Sequence, residues 1–296
     1  TSSSALRAGL GFMFSEDTST LQANFGGRFE YWNYVDDPQT DALETSLVGR
    51  LNWFIVPETL SFTIEDSLEM RPIDRFVPNT PENRQRVNVL SLGPNVQFNF
   101  SRTFRGRFEL RWIDSDAELT DELESERVSA ALHAIRDFDS TSSLTLSLRG
   151  QDVDFEREVD IQDYRRYDAS VRYQKELSRI AFGLEAGNSW VDFADGRSSS
   201  YPMARADIGW RLDDRHSLNA AVARQLSDST MAAIAGIAPA TEVPDQMFGG
   251  SSAISGSIYK EDRADLSYSF DGQRFAFSIG PYYQRIEYLG SLVFDE

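Results

Sequence analysis

The sequence predicts an all-β chain, an up-and-down antiparallel sheet that closes into a transmembrane barrel, with about 14 strands visible. Three observations predict it. Apolar and polar residues alternate with a period of two, as in Ser143-Leu144-Thr145-Leu146-Ser147-Leu148-Arg149, which places the leucines on one strand face. Tight polar turns and longer loops alternate along the whole chain, as when one end of a barrel is trimmed and the other elaborated. The strands are long enough for the span of about 9 to 11 residues that a bilayer requires.

The elements follow in order. Leu6, Ala8, Leu10, Phe12 and Phe14 share one face, then Leu21, Ala23, Phe25 and Phe29, then Leu47, Leu51 and Trp53, then Leu60, Phe62 and Ile64. Leu92, Val96, Phe98 and Phe100 come next, followed by Phe108, Leu110 and Trp112. The hairpin from Val128 to Phe155 sets Val128, Ala130 and Leu132 beside Leu144, Leu146 and Leu148. Tyr167, Ala169, Val171 and Tyr173 continue the series, with Ile180, Phe182, Leu184 and Ala186 after them. Ala206, Ile208, Trp210 and Leu212, then Leu218, Ala220 and Val222, then Leu266, Tyr268 and Phe270, and finally Phe275, Phe277 and Ile279 complete it. Turns are expected at Ser15-Glu16-Asp17, Val56-Pro57-Glu58, Ser101-Arg102-Thr103, Asp139-Ser140-Thr141, Leu177-Ser178-Arg179, Asp213-Asp214-Arg215 and Asp271-Gly272. Longer connections run from Tyr34 to Ala42, Asp74 to Gln85, Asp114 to Glu126, Glu156 to Asp163, Asp192 to Ser199 and Ser229 to Gly250. Parity slips at Gly150-Gln151 and at Gly280-Pro281, where a bulge is expected.

Composition narrows the function classes. The chain carries a net charge of −18 with no basic block, so nucleic acid is not an expected partner. It has no cysteine, which excludes a disulfide framework and cysteine-based chemistry. No run of about 18 apolar residues exists, which removes a transmembrane helix but not a transmembrane barrel. Trp53 and Trp210 near turns, with Tyr34 and Trp190 near loops, fit two aromatic girdles; Trp32 falls on the polar face and is an exception.

The barrel reading orients the chain. If the tight turns are periplasmic, both ends of these residues lie on the outer side. Residues 1–296 then read as a single transmembrane barrel domain lacking terminal strands, with about 16 to 18 strands in the complete protein. The tail Leu292-Val293-Phe294-Asp295-Glu296 lacks a closing aromatic strand, and Thr1 opens without a signal sequence, so any export signal is expected to have been removed.

The stretch Phe76-Val77-Pro78-Asn79-Thr80-Pro81-Glu82-Asn83-Arg84-Gln85, together with Ser91-Leu92-Gly93-Pro94, resembles bacterial outer-membrane β-barrel proteins associated with exopolysaccharide loci. Arg136-Asp137 and Tyr173-Gln174-Lys175-Glu176-Leu177 extend the resemblance over most of the chain. It implies an outer-membrane location and a passive aqueous pore through which a polysaccharide, assembled below, is exported. Membrane lipid, lipopolysaccharide and periplasmic or inner-membrane export machinery are the implied partners. No binding residue carries over.

Little in the chain suggests catalysis, and no cofactor is expected. His133 and His216 are the only histidines, and the spacing supplies neither with a nucleophilic serine and a carboxylate. The acidic clusters Asp114 to Glu124 and Asp152 to Asp163 lack the spacing and central glycine of a calcium loop and read as solvated charge. The small apolar run Ala232 to Ala238 suits a loop folding into the barrel to narrow it, or more simply a loop packed on its neighbours or a short surface helix. Arg28, Arg50, Arg107, Arg111, Arg149, Arg172 and Arg205 lie on the polar face and are the candidate lumen-lining residues. They suit bidentate contact with an anionic sugar, or equally ion pairs with Glu30, Glu65, Glu109, Glu185 and Asp207 that brace the wall. Polysaccharide export is the leading expectation. A general diffusion porin and a structural or adhesin-like barrel with acidic surface loops are the alternatives.

Overall fold

The alternation is realised as one antiparallel sheet. The computed structural model describes residues 4–35, 42–72, 83–120, 124–156, 163–228, 230–231, 258–272 and 274–289. The strands are β1 (Ser4–Asp17), β2 (Leu21–Val35), β3 (Ala42–Val56), β4 (Leu60–Pro72), β5 (Arg84–Ser101), β6 (Phe104–Ala117), β7 (Ser125–Asp139), β8 (Ser142–Phe155), β9 (Tyr164–Glu176), β10 (Ile180–Phe193), β11 (Ser198–Arg211), β12 (His216–Ser227), β13 (Tyr259–Asp271), β14 (Ala276–Ile279) and β15 (Tyr282–Tyr288). Each pairs with the next in sequence, except that β14 and β15 both pair with β13.

Those last two are halves of one strand. Tyr268↔Ile279 and Asp265↔Tyr282 keep the same register on either side of the break. The Pro281 carbonyl still accepts from the Leu266 N–H at 3.1 Å. Pro281 has no N–H to return, so the ladder is interrupted without a residue being inserted. The expected bulge at Gly280-Pro281 is therefore absent, and counting the halves together gives the 14 strands that the alternation predicts.

No bulge exists at Gly150-Gln151 either: both residues stay in register with Ala130 and Ser129 on one side and with Tyr167 and Arg166 on the other. The register shifts lie beside turns instead, at Phe54/Val56, Asn99/Ser101 and Asp137/Asp139. What changes at residue 150 is polarity. Leu144, Leu146 and Leu148 face outward, and the same face continues through Gly150 to Asp152 and Asp154. The inner face passes from Thr145, Ser147 and Arg149 to Val153 and Phe155, which are buried. In β5 the outer face reads Arg86, Asn88, Leu90, Leu92, Pro94, Val96, Phe98 and Phe100, whereas Val87 and Val89 are buried inside. In β6, Phe108, Leu110 and Trp112 face out and then Asp114 and Asp116, while Ile113 and Ala117 turn inward and are buried. The paired strands thus run beyond the ends that the acidic residues suggest, because Asp and Glu occupy the outer face of still-regular ladder.

The outer apolar face answers which way that face points. Leu10, Phe29, Phe98, Leu110, Val128, Leu132, Leu146, Leu148, Val171, Leu184, Ile208, Val222 and Leu266 are all exposed. A water-soluble sheet would bury such a continuous surface. From Leu90 to Phe100 the belt on β5 is about 25 Å tall for strands tilted near 40°, the thickness of a bilayer's hydrocarbon band. Trp53 and Trp210 lie at its turn side and Trp190 at its loop side, all outward and exposed. Trp32 stands on the polar face, under the Arg7 guanidinium.

The turns are short and polar. The first lies at Thr18, Ser19 and Thr20 rather than at Ser15 to Asp17, because β1 stays paired through Asp17↔Gln22. Thr18 Oγ1 accepts from the Leu21 N–H at 3.0 Å and closes it. Glu58 takes a left-handed backbone (φ 58°) in the turn before β4. At the β7–β8 turn the Asp139 carboxylate accepts from the Thr141 hydroxyl and N–H, each at 2.7 Å. The Thr141 and Ser142 hydroxyls and the Thr141 N–H hold its carboxyl well below the usual range. Asp213 is lowered in the same manner, chiefly by the Arg215 N–H, with the His216 N–H adding to it.

Candidate functional site

The inner face carries a band of charge at mid-height. Arg50 Nε lies 3.4 Å from Glu65 Oε1, and Arg107 Nε 2.8 Å from Glu109 Oε1. Arg111 Nη2 is 4.0 Å from Glu109 Oε2 and donates to Asn95 Oδ1 at 2.5 Å, and its Nη1 donates to the Pro94 carbonyl at 3.2 Å. Asn95 in turn donates to Thr63, and Thr63 to Asn52, both at 2.8 Å. These contacts link β3, β4, β5 and β6 across one stretch of wall.

A second group spans β9, β10 and β11. Arg172 reaches Glu185 Oε2 at 3.4 Å and Asp207 Oδ1 at 2.8 Å, and Arg205 Nε lies 3.8 Å from the same Asp207 oxygen. Arg172 crosses β10 to do this, over Gly183: a Cβ at 183 would stand 2.6 Å from its Nη2 and 2.9 Å from Asp207 Oδ1. Arg28 shares Glu30 with Arg7, at 3.3 Å, and is largely exposed. Of the seven candidate arginines, only Arg149 has no carboxylate within ion-pair range among the described residues; its partner in register, Asp168, is held by Arg166 at 2.9 Å. Six of the seven arginines thus have a carboxylate within ion-pair range, and they differ in exposure, from Arg28, which is open, to Arg172, which is buried.

The sheet also assembles what the spacing did not suggest. His133 Nδ1 lies 2.9 Å from Ser147 Oγ, its partner across β7 and β8, and His133 Nε2 lies 3.9 Å from Glu109 Oε1. The second distance is too long for a hydrogen bond, and Glu109 is already engaged by Arg107. The group lies in the polar wall, with the Ser147 hydroxyl within hydrogen-bond reach of the imidazole and the Glu109 carboxylate beyond it. His216 is bound to Tyr268 Oη at 2.5 Å beside a turn. The described acidic residues Asp114, Asp116, Asp152 and Asp154 are spread over outer strand faces, and no group of His, Asp and Glu that could hold a metal ion occurs among the described residues.

Above the band two apolar clusters occupy the inner face of β5, β6 and β8 to β12. Val153, Phe155, Tyr164, Val191, Leu226 and Ile258 form a buried cluster against Phe193, Tyr201 and Leu289. Val87, Val89, Ile113 and Ala117 form another against Met231. Between them is a residue that sequence reasoning missed. Arg127 is 1% exposed and places all three guanidinium nitrogens: Nε on Ser125 Oγ at 3.1 Å, Nη1 on Asp228 Oδ1 at 2.7 Å, and Nη2 on Thr230 Oγ1 at 2.9 Å. Asp228 Oδ1 also accepts from the Met231 N–H at 3.0 Å, as an N-cap does. Both partners of the Arg127–Asp228 pair are fully inaccessible. Removing one partner of such a pair costs about 3–5 kcal/mol, because the other is left as an uncompensated buried charge. Of the connection expected from Ser229 to Gly250, Thr230 and Met231 are described and face this interior; the run Ala232 to Ala238 lies outside the described residues, as does Phe76 to Glu82.

An exposed apolar belt of bilayer height on an up-and-down antiparallel sheet with a polar inner face decides the class. This is an outer-membrane β-barrel fold. No protein-family model matches the chain, and no curated protein does. Among solved structures it is similar to the FrpB iron transporter from Neisseria meningitidis, with 9% identity over 96% of this chain and 54% of that one, at a TM-score of 0.49. It is also similar to the copper transporter OprC (12% identity, 95% of this chain and 53% of that one, TM-score 0.49). The outer membrane protein OprD from Pseudomonas aeruginosa matches with 10% identity over 95% and 82%, at a TM-score of 0.43. The chain spans about half the length of the FrpB and OprC structures. At these scores the likenesses carry no argument, and the fold assignment rests on the sheet.

Proposed function

We propose that this chain forms a passive aqueous channel that exports a polysaccharide across the outer membrane, with energy supplied by machinery beneath it and with lipid and lipopolysaccharide around its belt. The observation that supports it is the mid-height band of Arg28, Arg50, Arg107, Arg111, Arg149, Arg172 and Arg205 with their carboxylates, on the face turned away from lipid. Such a wall is hydrated, offers donors to sugar hydroxyls and carboxylates, and leaves cations in excess of the carboxylates that serve them. The sequence resemblance over Phe76 to Gln85 and Ser91 to Pro94 adds the polymer as cargo.

Deletion of the gene in a polymer-secreting host tests the reading. Export predicts that surface polysaccharide is lost and polymer accumulates in the periplasm, restored by the intact chain. Unchanged surface polymer with slowed entry of small solutes would replace export by general diffusion. The filled outer end favours a second reading, a structural barrel with acidic surface loops, which predicts no conductance in bilayers from any variant.

A further inference from the structure

The Arg127–Asp228 bond is too short for a sheet that curves evenly. β7 and β12 are five places apart in the ladder, about 24 Å along a wall of strands spaced near 4.8 Å. Yet Asp228, the residue that follows β12, meets the third residue of β7 at 2.7 Å. The loop-side ends of β7 to β12 therefore curl into a narrow ring. A ring of so few strands has a bore that side chains fill completely. Here the filling is Val153, Phe155, Tyr164, Val191 and Leu226, with Ile258 just before β13.

We propose that this ring is the closed state of an outer gate, latched by Arg127 on Asp228 and Thr230. The proposal rests on the channel reading above. The latch lies beyond the belt: Arg127 is level with Ile113, one residue past the outward Trp112. Uncurling the ring would therefore leave the lipid-facing ladder and the arginine band intact. An ion pair suits the task better than apolar packing alone, because its loss is abrupt. Without Asp228 the Arg127 guanidinium keeps its neutral acceptors Ser125 and Thr230 but is left against the Phe155 ring as a buried charge with no carboxylate, so the ring is unstable; Asp228 supplies the countercharge. Met231, carried inward by the same turn, meets β5 and β6, so latch and filling close together.

The chain has no cysteine, so a single introduced thiol reports the gate. Val153→Cys is to be labelled in vesicles with a membrane-impermeant maleimide and compared with Asp154→Cys, its outward and exposed neighbour. In the otherwise native chain Val153→Cys should react at least ~100-fold more slowly than Asp154→Cys, as a buried site that reacts only on opening does. Adding Asp228→Asn should bring the two rates together and raise single-channel conductance. Reversing the pair, Arg127→Asp with Asp228→Arg, should restore slow labelling. Equal rates in the native chain would overturn the proposal, as would slow labelling in an Asp228→Asn barrel that folds by its heat-modifiable gel migration. Should Asp228→Asn not fold, Thr230→Val, which removes one acceptor only, carries the same expectation and the same refutation. Faster labelling with no conductance would uphold the latch and overturn the channel.

Discussion

Leu146→Arg tests whether the apolar belt contacts lipid. Leu146 is exposed on the outer face of β8, four residues below Gly150, whose partner Tyr167 stands on the outer face beside Trp190. At about 3.4 Å per residue and a tilt near 40°, it lies about 10 Å below that aromatic level, close to the middle of a band some 25 Å tall. Arginine at such a depth costs about 2–4 kcal/mol, against about 0–1 near the interface. That is about 30- to 800-fold in the folding equilibrium. Asp154→Arg is the matched control, on the same face of the same strand, about 21 Å higher and in an acidic neighbourhood. Urea titration of folding into phosphatidylcholine vesicles should show a midpoint lowered by Leu146→Arg and hardly moved by Asp154→Arg, with equal slopes. Equal midpoints for the two variants would refute a lipid-facing belt.

Three further outcomes follow from particular contacts. Gly183→Val should displace the Arg172 guanidinium from Asp207 and cost about 1.5–3 kcal/mol, the worth of a hydrogen bond to a charged group; a Gly183→Val midpoint equal to that of the native chain would show that the crossing is dispensable. In the Asp228→Asn background, Arg107→Gln with Arg111→Gln should shift the reversal potential under a KCl gradient towards cations, and Arg149→Gln should shift it in the same sense. Identical reversal potentials would leave the arginines as wall braces only. Asp139→Ala should lower stability at neutral pH: a carboxyl held below its ordinary 3.8 stabilises the fold above that value and ceases to as pH falls through its folded value, so the difference from the native chain should narrow under acid. A difference that stays constant with pH would show that the ionised form of Asp139 is not what braces the turn.

The alternation made nearly every strand legible, since a period of two survives whichever way its apolar face points. Alternation alone does not show that direction; strand length and the alternation of tight turns with longer loops point the apolar face to lipid, and the exposure of Leu132, Leu146 and Leu184 in the folded sheet agrees. The supposed bulge at Gly150-Gln151 was a misreading of a real signal. Val153 and Phe155 broke the pattern because the outer face leaves lipid there and the inner face acquires a core. The same signal, apolar residues on the inner parity beyond an outward tryptophan, could have located the filled end. Arg127 was missed for a different reason: its partner Asp228 lies 101 residues away, and only the curl of the sheet brings them together. The arginine band was legible as a face but not as a network, because Arg172 reaches Asp207 across an intervening strand through a gap that a glycine leaves.

The inversion of polarity along β5, β6 and β8 has a consequence for how the protein settles in its membrane. A uniformly amphipathic strand can slide along the bilayer normal at little cost, since each step replaces one apolar residue in lipid by another. These strands cannot. Raising them by a turn's height would draw Gln97 and Asn99 no nearer to lipid but would lift Leu90 and Trp112 into the aqueous layer; lowering them would drive Asp114, Asp152 and Asp154 into hydrocarbon. The point of inversion acts as a waterline, drawn on several neighbouring strands at one level, and it holds the barrel at one depth in the membrane.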